Sequence, residues 1–88
     1  MKGDIMYIHL GNNYVIPARE IVAIINIENS LSNDLEDIID NARLDKILVN
    51  ISELGKEKTL LITDKKVYLS PISSITLYRR SLSHYKEG

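Results

Sequence analysis

Three observations predict an α+β domain, a mostly antiparallel five- or six-stranded sheet with two helices. Short β-branched runs recur along the chain and are punctuated by Gly, Asn, Asp and Pro. Two other segments carry apolar residues at helical spacing behind Ser or Asn caps. With 88 residues and no cysteine, the chain has the length of one domain, and no disulfide can staple it.

Residues 5–10 alternate, with Met6, Ile8 and Leu10 on one side and Ile5, Tyr7 and His9 on the other, a strand with two partly buried faces. Gly11-Asn12-Asn13 tolerate positive φ and Tyr14-Val15-Ile16 resumes the pattern, which makes a hairpin. Pro17 has no N–H for a ladder and marks an edge or a bend. The nearly continuous β-branched run of residues 21–27 predicts a central strand covered on both faces. Residues 30–33 offer several caps; Asn33 with Glu36 matches a capping box, and Leu35, Ile38, Ile39 and Ala42 follow at helical spacing. Asp34, Glu36 and Asp37 near its start and Arg43 and Lys46 near its end suit the helix dipole.

Residues 47–51 predict another strand and residues 52–58 a charged loop bending at Gly55. Residues 59–63 and 66–70 form a second hairpin turning at Asp64-Lys65, and Pro71 ends it. Ser73 or Ser74 then caps a C-terminal helix with an apolar stripe of Ile75, Tyr78, Leu82 and Tyr85, leaving Arg79, Arg80, Ser83 and Lys86 off that stripe. The stripe either packs on the protein's own sheet or, with the aliphatic faces of residues 21–27, buries area between protomers. No repeat or linker divides the chain, so a single domain spans residues 1–88, with 86–88 expected to fray.

Hydrophobic residues make up 44% of the chain but include no Phe or Trp, so many small aliphatic contacts must carry a thin core. A subunit interface would add to it. The apolar run at residues 5–10 is too short for a signal peptide, and no segment approaches the roughly 20 apolar residues of a membrane span. A cytoplasmic protein without membrane contact is the expectation.

The residues argue against catalysis. His9 and His84 lie far apart with no partner at metal-ligand spacing, so no metal is expected; His9, inside a strand, reads as a partly buried, hydrogen-bonded side chain. Asp34, Glu36, Asp37 and Asp40 read as the solvated start of a helix, not a carboxylate pair tuned for acid–base work. No serine sits in a nucleophile elbow, and the four dispersed glycines make neither a phosphate loop nor a dinucleotide fingerprint. No catalytic residue and no cofactor is predicted.

A net charge of −1 conceals an asymmetry. Residues 1–43 hold three Lys/Arg against seven Asp/Glu, and residues 44–88 hold eight against five. The cations placed for exposure are Arg19 between two β segments, Lys56 and Lys58 beside Gly55, Lys65 and Lys66 in a turn, and Arg79-Arg80 on the last helix. Arg19 stands out because a planar guanidinium before a strand forks onto a phosphate.

Two stretches carry a resemblance. Met6-Tyr7-Ile8-His9-Leu10-Gly11-Asn12-Asn13-Tyr14-Val15-Ile16 followed by Arg19-Glu20-Ile21-Val22-Ala23-Ile24, and Tyr68-Leu69-Ser70-Pro71-Ile72-Ser73-Ser74-Ile75-Thr76-Leu77 with Arg79-Arg80, resemble the RemA/RemB family of extracellular matrix regulatory proteins. The resemblance spans residues 6–85. It implies a small domain that assembles into ring-like homo-oligomers and, for the RemA branch, a DNA-binding transcription regulator of biofilm matrix genes. It further implies that Arg19 occupies a DNA-contacting arginine position. Where that branch has two adjacent arginines after a glycine, this chain has Gly55-Lys56-Glu57-Lys58: point charges replace forks, and Glu57 repels a phosphate. The site expected from these residues is Arg19 with Lys56 and Lys58 on the DNA backbone, with Arg79 and Arg80 as further basic contacts. The alternative is an oligomeric protein-interaction module, partnering for example a RemA-like paralogue, without DNA contact.

Overall fold

The computed structural model describes residues 6–29 and 31–87, with 83–87 as backbone alone. Ile5, Ser30, Gly88 and the side chains of Ser83, His84, Tyr85 and Lys86, invoked above, lie outside the described residues.

Strands β1 (Tyr7–Gly11) and β2 (Tyr14–Pro17) pair antiparallel with Ile8 opposite Ile16, and the turn between them holds Gly11, Asn12 and Asn13 at φ of 112°, 47° and 69°. A one-turn 3₁₀ helix (Ala18–Glu20) redirects the chain into β3 (Ile21–Asn26). Helix α1 (Asn33–Leu44) then crosses to β4 (Leu48–Asn50), and β5 (Thr59–Thr63), β6 (Val67–Ser70) and helix α2 (Ser74–Glu87) complete the fold.

The sequence expectation of a single, mostly antiparallel sheet needs correction. There are two sheets: the β1–β2 hairpin, and a four-stranded mixed sheet ordered β3-β5-β6-β4 with β4 parallel to β6. The 3₁₀ turn redirects the chain between β2 and β3, so β3 pairs with β5 while β2 pairs with β1. The parallel pairing follows from the crossover: β3 and β4 point the same way because α1 joins them, and the β5–β6 hairpin is inserted between them.

Side chains of the four-stranded sheet alternate between two cores. On one face Leu60, Val67 and Leu69 pack with Ile27 and with Ile39 and Ala42 of α1. On the other, Leu61 packs with Ile8, Leu10 and Ile16 of the hairpin, Ile51 and Leu77 of α2. Leu60 and Leu61 are both fully buried, so β5 is the strand covered on both faces. Residues 21–27 were expected in that place; β3 is instead an edge strand, half-buried at best along its length, with Val22 68% exposed. A β-branched run satisfies an edge flanked by two partial layers as well as it satisfies a centre.

Three smaller differences have local causes. Ser32, not Asn33, caps α1, its Oγ accepting from the Leu35 N–H at 3.2 Å, so Asn33 is the first helical residue and the expected Asn33/Glu36 box does not supply the cap. His9 is exposed because it points away from Ile8 and Leu10 on a hairpin with one buried face. In α2, whose start is capped by Ser73 Oγ accepting from Thr76 N–H at 3.2 Å, the inward residue is Leu77, fully buried, while Ile75 and Tyr78 are 63% and 57% exposed.

Two side chains fasten the hairpin to the body: the buried Ser70 hydroxyl donates to the Leu10 carbonyl at 2.7 Å and accepts from Ile72 N–H at 3.0 Å, and Asn12 Nδ2, in the turn, donates to the Ile51 carbonyl at 2.6 Å. The buried Thr59 Oγ1 donates to the Ile72 carbonyl at 2.7 Å and ties β5 to the segment after β6.

Candidate nucleic-acid interface

The cations fall into separate settings. Arg19 rides on the 3₁₀ turn, exposed, and makes no hydrogen bond or ion pair with another described residue. The turn is fixed at its start by Ala18 N–H donating to the Met6 carbonyl at 2.8 Å and at its end by the β3–β5 ladder.

Lys56 and Lys58 lie at the opposite end of that ladder. Antiparallel register puts Ile21 beside Thr63 and Asn26 beside Thr59, so Arg19 precedes one end of β3 while the Gly55 loop runs into the other. Five strand steps separate the ends by about 17 Å. Within one subunit the fold therefore does not bring Arg19 together with Lys56 and Lys58. Gly55 turns with φ of 82°, Lys56 N–H donates to the Glu53 carbonyl at 3.0 Å, and Lys58 is tied by its backbone to Ser70 and Ile27, leaving both ammonium groups exposed. They share a shallow surface hollow with Glu28 and Glu57, and Asn50 Nδ2 donates to Glu57 Oε2 at 3.4 Å. Carboxylates line that hollow along with the lysines, without an ion pair among the described residues there.

The adjacent arginines of α2 separate by role. Arg80, half-buried, donates from Nη1 to the His9 carbonyl at 2.7 Å and so ties α2 to β1. Arg79 is exposed and lines an apolar groove of about 440 Å³ between β3 and α2, with Ile24, Ile75, Tyr78 and Leu82. A second hollow continues it along Ala18, Ile21, Val22 and Ala23. Periodicity gave the α2 stripe but not the fact that its Ile75 and Tyr78 are exposed.

At the Arg19 end, Asp64 N–H donates to the Glu20 carbonyl at 3.1 Å, which joins the β5–β6 turn to the 3₁₀ turn. Tyr68 is half-buried close by, and its phenol is pushed above the ordinary range by burial first, then by the carboxylate of Glu20 and by Tyr14. Among the described residues no group of three or more His, Asp or Glu side chains is placed to hold a metal ion, and no helix is long and apolar enough to cross a membrane.

Comparison with known proteins adds a lineage to this geometry. Residues 7–80 match a family described as RemA-like, extracellular matrix regulatory protein A-like. The chain is also 33% identical over 76 residues to the extracellular matrix regulatory protein B of Bacillus subtilis (strain 168), a match covering 86% of this chain and 90% of that protein.

Proposed function

This chain belongs to the RemA-like family, and from that premise we propose that it is a non-enzymatic, oligomeric, cytoplasmic regulator of extracellular matrix (biofilm) genes that binds DNA through its phosphate backbone. The observation that carries the reading is Arg19: an exposed guanidinium on a turn braced at both ends, with no described partner for its charge. A fork of this kind suits bidentate phosphate contact. The exposed start of α1 is acidic and unsuited to a DNA groove, and shape and deformability of the duplex supply the selectivity.

Self-association is supported by what the fold leaves uncovered. The β3 edge, Val22, Ile75 and Tyr78 expose apolar surface around the groove beside Arg79. A head-to-tail assembly through that apolar surface repeats the Arg19 end once per subunit, a closed ring being the outcome when the rotation closes. A ring of n subunits each neutralising one phosphate has a salt slope of about −0.9n, so weak single contacts sum to appreciable avidity.

A mobility-shift titration across salt with wild type and Arg19→Ala tests the reading. Wild type shifts DNA at low salt and Arg19→Ala loses affinity and slope; no shift with either protein at low salt refutes DNA binding. Light scattering tests assembly, and a strict monomer of about the 10.0 kDa chain mass at micromolar concentration refutes it.

Glu57 favours a second reading. Its carboxylate sits between Lys56 and Lys58 and opposite Glu28 in one hollow, a mixed-sign surface better matched to a protein than to a polyanion. On this reading the oligomer partners a RemA-like paralogue without touching DNA. Co-purification of such a partner after nuclease treatment, with no DNA shift, selects it over the first.

A further inference from the structure

We infer that the DNA-facing surface is the end of the sheet where Arg19 meets the β5–β6 turn, with Lys65 and Lys66 as phosphate contacts beside it, and that the Lys56–Lys58 hollow is not that surface. The inference rests on the DNA-binding reading above and names the residues of its site.

The register places these cations together. Ile21 and Thr63 are partners in the β3–β5 ladder, and the bond from Asp64 N–H to the Glu20 carbonyl extends the pairing one step further. Arg19 and Lys65 each follow one residue beyond that bond, on adjacent chain segments, and Lys66 comes next in the turn. The turn is rigid: Thr63 Oγ1 accepts from Lys65 N–H at 3.3 Å and from Lys66 N–H at 2.9 Å, and donates to the Lys66 carbonyl at 2.8 Å. All three side chains are exposed, and none pairs with another described residue. Backbone held in this way adds no loop-ordering cost on contact, leaving only that of the side chains themselves.

Local charge separates the two ends. Glu28 and Glu57 line the same hollow as Lys56 and Lys58, and Glu53 is exposed in the same loop, so local charge there is not positive. At the Arg19 end three cations stand against Glu20 and Asp64, and Glu20 is half-buried near the Tyr68 phenol, which leaves Asp64 as the exposed anion. Of these two ends of the sheet, a polyanion meets net positive charge at the Arg19 end.

Fluorescence anisotropy with a labelled mixed-sequence duplex, titrated across salt, tests this with Lys65→Ala/Lys66→Ala, Lys56→Ala/Lys58→Ala and the charge-preserving Lys65→Arg/Lys66→Arg. The first pair is expected to lower low-salt affinity at least about tenfold and to flatten the slope of log K against log salt by about 1.8 per engaged subunit. The arginine pair keeps wild-type slope, and the Lys56/Lys58 pair changes it little. Circular dichroism and light scattering on each variant establish that fold and assembly are unchanged. Wild-type slope in Lys65→Ala/Lys66→Ala, or the loss appearing in Lys56→Ala/Lys58→Ala instead, overturns the assignment while DNA binding stands. Absence of binding by wild type at low salt removes both together.

Discussion

Ser70→Ala removes one oxygen that serves two elements at once. Ser70 and Leu10 are fully buried, and the hydroxyl both donates to the Leu10 carbonyl and accepts from the Ile72 N–H. Leu10 falls at the irregularity in the β1–β2 ladder between His9 and Gly11, where regular pairing is interrupted. Two net hydrogen bonds at about 1 kcal/mol each, plus the cost of leaving a buried carbonyl unsatisfied, sum to about 2–4 kcal/mol. A domain of this length has about 4–13 kcal/mol in total, so the loss is a large fraction, worth about 10–20 °C in melting temperature. Calorimetry at one fixed protein concentration reads it. Ser52→Ala is the control: its hydroxyl donates to Asn50 Oδ1 at 3.0 Å on the surface, and its removal changes stability by less than about 0.5 kcal/mol. A Ser70→Ala protein that melts within about 2 °C of wild type refutes the argument that this hydroxyl fastens the hairpin to the sheet.

Leu77→Ala, at a fully buried position, costs about 2–5 kcal/mol in urea unfolding, whereas Ile75→Ala, two residues away and 63% exposed, leaves subunit stability nearly unchanged and weakens self-association in sedimentation. Gly11→Ala costs about 1–3 kcal/mol by the same measure, since φ of 112° strains an L residue and its Cβ would approach Pro71 Cγ at 3.3 Å. The Tyr68 phenol ionises later in the folded than in the unfolded chain, so the folded state holds more protons above the ordinary tyrosine range and stability falls as pH rises through it. An ultraviolet titration of Tyr68→Phe against wild type therefore loses a late-titrating component; an unchanged late phase contradicts the assignment.

Local patterns in the sequence were sufficient for most elements. Alternation gave β1, the Gly11-Asn12-Asn13 signal gave its turn, and caps with helical spacing gave α1 and α2 to within a residue or two. Non-local choices were not legible. Nothing in residues 21–27 distinguishes an edge from a centre, because the distinction lies in whether β5 or β3 receives neighbours on both sides. The parallel β4–β6 pair depends on a crossover that periodicity does not encode. In α2 the stripe of Ile75, Tyr78 and Leu82 was visible, yet the single Leu77 off that stripe decides which side packs. The candidate site divided in the same way. Arg19 was recognisable from its place before a strand, but its distance from Lys56 and its closeness to Lys65 are products of the β3–β5 register.

The bonds that fasten the hairpin also set a schedule for making the protein. Leu10 waits for a hydroxyl 60 residues downstream, and the His9 carbonyl for an arginine 71 residues on. At ribosomal speeds of about 5–20 residues per second, Ser70 is added about 3–12 s after Leu10. A two-stranded hairpin is marginal alone, so Ile8, Leu10 and Ile16 stay wet through that interval. Vectorial synthesis thus runs against the order of burial: the first strands to be made are among the last to be enclosed, and the nascent chain offers an aliphatic segment to chaperones before its own body is there to cover it.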